Sequence, residues 1–150
     1  MVIEQKFETT KEYLNQIQRL DRMIENKLSE KYALKTMVLK VSASTEGERV
    51  QTSGEKDRLG DSVAKIVDLE REIDMLIDTL IDKKAYISGQ IESLELDYYN
   101  VLTKRYVNYD TFDSIAQKTG WSIRKVFSVH GRALQEFEKR FGKYYLEKLQ

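Results

Sequence analysis

Residues 112–134 read FDSIAQKTGWSIRKVFSVHGRAL, and this stretch decides how the last third of the chain is read. Ile115 and Ala116 are followed by Gly120, then by Val126 and Val129. The spacing predicts a short helix, a tight turn and a second helix, a helix-turn-helix layout. Asp110 is the expected cap of the first helix, and Ala116 is small enough for two helices to cross closely. Gly120 supplies the positive φ that the turn needs, and Trp121 is expected to cover the joint. Ser122 is a natural N-cap for the second helix, whose buried side reads Val126, Val129, Ala133, Leu134 and Phe137. The opposite side presents Ile123, Arg124, Lys125, Ser128 and Arg132. Donors placed early in such a helix are where a recognition helix meets the major groove. Ser122, Ile123, Arg124, Lys125, Ser128 and Arg132 are therefore the candidate DNA-binding residues. The bland alternative is a solvated face on a three-helix domain.

Working outward, residues 95–150 hold ten Lys plus Arg against seven Asp plus Glu, a net of +3. The whole chain balances 25 against 25, so the preceding 94 residues carry the compensating −3. The same end is rich in Tyr and Phe and contains Trp121, which predicts a compact aromatic core.

Ahead of it, Asp61 to Leu94 is strongly periodic. Val63, Ile66, Ile73, Ile77, Leu80, Ile87, Ile91 and Leu94 lie near a heptad seam, interrupted by Glu70 and Lys84. Such spacing predicts a long amphipathic helix packed on another helix, with the two interrupting charges read as lying off the true seam. The expected partner begins at the capping-box pattern Thr9-Thr10-Lys11-Glu12 and runs to about Val41, with Leu14, Ile17, Leu20, Ile24 and Leu28 on its stripe. Between the two, residues 42–60 are rich in Gly, Ser and Thr and read as a polar loop. A phosphate-binding loop at Gly54 to Ser62 fails on spacing, and Asp61 stands where Lys is required.

The expected fold is all-α: a long antiparallel helical hairpin, coiled-coil-like, over residues 1–94, followed by a small helix-turn-helix domain over 95–150. Zero Pro in 150 residues suits long uninterrupted helices. Val67, Leu69, Met75, Leu76 and Ile81 lie beside the narrow seam and still need cover, which predicts a homo-oligomer built on Asp61 to Leu94.

Several function classes are excluded or demoted. No stretch approaches the ~20 apolar residues of a membrane span. The absence of Cys removes thiol nucleophiles and the usual zinc sites and fits a reducing compartment, so a cytoplasmic protein is expected. With one His, no nucleotide fingerprint and no paired carboxylates in an apolar setting, neither an enzyme nor a metal or other cofactor is expected. His130 is read as a packing or capping residue.

The stretch Asp97 to Tyr106, Ile115-Ala116, Ser122 to Val126 and His130 to Leu134 resembles region 4 of bacterial sigma factors. The hairpin, with Arg49-Val50-Gln51 and Gly60 to Glu70, is similar to a family of small sigma-region-4-like prophage proteins of Gram-positive bacteria, related in layout to the ArpU and RinA late-transcription regulators. What the resemblance implies is a phage-type transcription regulator that binds double-stranded DNA and contacts RNA polymerase, with Arg124, Lys125, Ser128 and Arg132 at the DNA. Ile123 and Phe127 depart from positions that are commonly polar on that helix. The competing expectations are a helical scaffold or adaptor that binds a protein, and a small terminase-like DNA-packaging component.

Overall fold

The computed structural model describes residues 5–45 and 53–147. Its elements are α1 (Thr10–Thr45), α2 (Ser53–Glu92), α3 (Leu96–Leu102) running into a π-helical turn (Thr103–Val107), α4 (Phe112–Thr119) and α5 (Ile123–Tyr145). The protein is all-helical. No β-strand occurs among the described residues, only a single parallel bridge between Phe7 and Leu146.

Helix α1 starts as its sequence dictates. The Thr9 hydroxyl accepts from the Glu12 backbone N–H at 3.2 Å. The Glu12 carboxylate reaches back to the Glu8 N–H at 3.1 Å, one residue beyond the N-cap amide of a standard capping box. Both long helices extend further into the polar stretch than its composition suggests. Residues 42–45 close α1 and 53–60 open α2, so the 42–60 loop reading is too long at each end, and its centre, 46–52, lies outside the described residues. Gly54 and Gly60 each cost a helix about 1 kcal/mol, but Glu, Lys, Arg and Leu between them are good helix formers. The segment that failed as a phosphate loop is helical.

The chain divides into two compact units. Leu20–Thr79 forms one of them, an antiparallel hairpin of the facing parts of α1 and α2. Its seam follows a strict three-four alternation: Leu20, Ile24, Lys27, Lys31, Leu34, Val38 and Val41 on α1, and Leu59, Ser62, Ile66, Leu69, Ile73 and Leu76 on α2. Ile24, Ile66, Leu69 and Ile73 are buried. This corrects the sequence register. Leu28, Val63 and Ile77 were expected on the seam and are exposed, whereas Leu69 was placed outside it and is buried. Two apolar stripes lie side by side on each helix, and the pairing buries one of them.

Charges bind the middle of this hairpin. Lys27 Nζ lies 2.6 Å from the Glu72 carboxylate, and this hydrogen bond holds the ammonium above its usual pKa. Glu70 lies beside the seam, 3.2 Å from Lys31 and 3.6 Å from Lys35. The Lys31 hydrogen bond keeps its carboxyl below the ordinary range. On the opposite flank Lys65 pairs with Glu30 at 3.2 Å.

The second unit draws on residues up to Arg19 and from Leu80 onward. It does not respect the 94/95 boundary read from sequence, because Leu14 and Ile17 of α1 and Ile87, Ile91 and Leu94 near the end of α2 share one core with Leu102, Ala133, Phe137 and Tyr145. Tyr13 stacks on Tyr145 with ring centroids 4.0 Å apart and donates its hydroxyl to Gln90 Oε1 at 2.5 Å. The Tyr145 hydroxyl bonds Thr10 at 2.8 Å. Burying phenols and an amide is tolerable only when each polar tip is partnered, as here. The end of α5 is pinned further by Phe7, whose N–H donates to Tyr145 O and whose carbonyl accepts from the Glu147 N–H. Among the described residues no helix is long and apolar enough to cross a membrane.

Candidate nucleic-acid interface

Helices α3, α4 and α5 close around a small core of Val101, Ile115, Val126 and Val129, with Tyr98, Phe112, Ala116 and Trp121 packed at its edge. The cap of α4 is Thr111 rather than Asp110. Its side chain accepts from the Ser114 N–H at 3.1 Å. Asp110 instead ties the segment together: its carboxylate meets Lys118 at 2.9 Å, and its carbonyl accepts from Arg105 Nη1 at 3.0 Å. The Arg105 guanidinium also lies over the Phe112 ring, 4.1 Å from the centroid.

Helix α4 ends at Gly120, whose φ of 73° is the left-handed conformation that favours glycine, and whose N–H caps Ala116 O. Two residues later Ser122 caps α5, its hydroxyl accepting from the Lys125 N–H at 3.1 Å. The turn is thus three residues, 120–122, set by one glycine and one serine.

Beyond it, α5 buries Val126, Val129, His130, Ala133 and Phe137 on one side. His130 shares a 2.8 Å hydrogen bond with the Tyr106 hydroxyl, which fastens α5 to the π-helical turn. Burial first, then the cations of Lys11 and Arg105, depresses the imidazole pKa to about 4, so it is neutral at physiological pH. Among the described residues no cluster of His, Cys, Asp and Glu could hold a metal.

The other side of α5 carries the residues expected from sequence, and all six are exposed. They do not stand alike. Arg124, Ser128 and Arg132 extend from the middle of the exposed side, and neither arginine has a hydrogen bond or ion pair among the described residues. Ser122 spends its hydroxyl on the cap. Lys125 leans over Trp121, its Nζ 4.5 Å from the ring centroid. Ile123 is 40% exposed at one flank, and Phe127 packs on Phe112 with centroids 4.9 Å apart. Gln135 and Lys139 continue the same exposed side. They were missed from sequence, although steps of three and four residues from Arg124 through Ser128 reach them.

Electrostatically, the first turn of α5 has no acidic residue, and Arg124 and Lys125 occupy it. Cations at the positive end of a helix are unfavourable by a few tenths of a kcal/mol or more. The stability of the helix therefore does not explain their placement.

Family models, curated proteins and solved structures were all compared with the chain, and none matches.

Proposed function

We propose that α4, the turn at 120–122 and α5 form a helix-turn-helix that binds duplex DNA, with α5 from Ser122 to Arg132 as the recognition helix, and that the protein is a phage-type transcription regulator. The observation that carries the reading is the pair of guanidinia, Arg124 and Arg132, which have no hydrogen-bond or ion-pair partner among the described residues and stand on the exposed side of a helix whose other side is buried through Val126, Val129 and Ala133. A rigid helix of this kind admits base-edge contacts without paying to order its own backbone. Arg124, Arg132 and Ser128 are the base-reading or phosphate-reading groups, and Lys125, held by Trp121, is a phosphate contact. Ser122 acts through its cap, fixing where α5 begins. The resemblance to sigma region 4 supports the same assignment and adds RNA polymerase as a partner. The +3 net charge of this third of the chain favours a polyanion.

Selection of duplexes from a random pool by the purified full chain tests the proposal. Enrichment of a defined sequence, lost on replacing Arg124 and Lys125, supports it. A pool that stays unenriched at low salt sinks it and promotes the adaptor reading.

A further inference from the structure

The hairpin of residues 20–79 has a second apolar side that its own pairing leaves open. The Lys35–Glu70 ion pair marks one flank of the hairpin and the Glu30–Lys65 pair marks the other. On α1, Leu28 is seven residues from Lys35 and so shares its flank, with Tyr32 and Leu39 four residues further round from Leu28 and Lys35. On α2, Val63, Glu70 and Ile77 recur every seven residues on the matching flank, with Val67 four beyond Val63. All six apolar members are exposed: Tyr32 by 74%, Leu39 by 70% and the other four by 36% to 46%. Exposed patches larger than a few hundred Å² are uncommon on monomers, and six such side chains amount to roughly that. Among the described residues the Glu30–Lys65 flank carries three exposed large apolar residues, Met23, Met37 and Met75.

We propose that this flank is the face on which a second copy of the chain docks, making a four-helix bundle about a two-fold axis that runs along the hairpin. Charge complementarity selects both the occupant and the axis. With the axis along the hairpin, α1 of each copy lies over α2 of the other, and each Lys35 meets the partner's Glu70. Apolar layers then coincide: Leu39 falls near the partner's Val63, and Leu28 near the partner's Ile77. With the axis across the hairpin, Lys35 meets the partner's Lys35 and Glu70 the partner's Glu70, and like charges oppose each other in the centre. The stripe is thus self-complementary in one arrangement, as an isologous interface requires. It differs from the oligomer expected from sequence, which rested on α2 alone and counted Leu69, a residue the hairpin buries.

Sedimentation of the full chain at micromolar concentration should give twice the 17.6 kDa chain mass. The variant Tyr32→Glu with Leu39→Glu should sediment as a monomer with unchanged helical circular dichroism, since both side chains are exposed. Met75→Glu, equally exposed but off the stripe, should stay dimeric. Lys35→Glu should weaken the dimer by roughly tenfold or more, because like charges then meet twice across the axis, and adding Glu70→Lys should restore it. A wild-type monomer throughout the micromolar range overturns the proposal, and so does a Tyr32→Glu/Leu39→Glu protein that remains dimeric. Should that variant lose helicity, the Lys35 and Glu70 arms decide alone: a dimer indifferent to Lys35→Glu overturns the proposal equally.

Discussion

The Tyr106 hydroxyl and His130 Nε2 meet at 2.8 Å between the π-helical turn and α5, and both side chains are buried. The same burial that makes this bond worth keeping makes each partner hard to ionise. Burial pushes the Tyr106 phenol up to about 12 and, aided by Lys11 and Arg105, pulls His130 down to about 4.

From this follows a stability profile with two limbs. In the unfolded chain His130 takes up its proton near its ordinary value of 6.5, whereas in the folded chain it resists until about 4. The unfolded state therefore binds more protons between those values, and stability falls as the pH drops through that window. On the alkaline side Tyr106, and Tyr145, likewise raised to about 12 by burial, lose stability as the pH rises from 10 towards 12. Denaturant melts at pH 7, 5.5 and 4.5 should show the acid limb, and His130→Gln should flatten it. An acid limb of unchanged steepness in that variant would assign it to other groups.

Replacing Arg124 and Lys125 with Ala should abolish specific duplex binding and leave circular dichroism intact, because both side chains extend from the exposed side of α5. Loss of a base-contacting arginine costs about 1–3 kcal/mol, and each phosphate contact removed lowers the salt slope by about one. Titration of the selected duplex at several salt concentrations separates the two. Wild-type affinity in a folded double variant would remove α5 as the recognition helix.

Gly120→Ala isolates the turn. A Cβ there meets nothing within 4 Å, so the penalty is the left-handed φ alone. That conformation costs an L-residue roughly 1–2 kcal/mol, a midpoint lower by a few degrees in thermal melting. Gly120→Asn should lose less, since Asn tolerates the region better. Equal losses for the two would mean that the turn fails for another reason.

Tyr13→Phe removes the hydroxyl that donates to Gln90 and leaves a buried amide without that partner. Stability should drop by about 1–3 kcal/mol in urea melts. Tyr13→Phe combined with Gln90→Leu should recover part of it, and a double variant that loses the sum of both single changes would show the bond to be incidental.

What could be read in advance tracks the range of the interactions. Gly120 and Ser122 act on their immediate neighbours, so the turn and the start of α5 are legible in the sequence. The cap of α4 was misplaced by one residue because Asp110 and Thr111 are both good caps, and only the distant Lys118 and Arg105 claim the aspartate. The hairpin's existence is written in its periodicity, but its register is not: Leu28 and Lys27, or Leu69 and Glu70, compete for one seam, and the choice lies in the partner helix. The Tyr13, Gln90, Tyr145 and Thr10 network joins residues up to 135 apart and left no local sign.

The pairing of Phe7 with Leu146 has a mechanical consequence. The two short segments run parallel, held by hydrogen bonds from Phe7 N–H to Tyr145 O at 2.8 Å and from Glu147 N–H to Phe7 O at 3.1 Å. Tension applied to opposite ends of the chain pulls these segments past one another instead of peeling them apart, so both bonds bear the load together. The clasp yields only when both break, and the force needed there gates the extension of everything between residues 7 and 146.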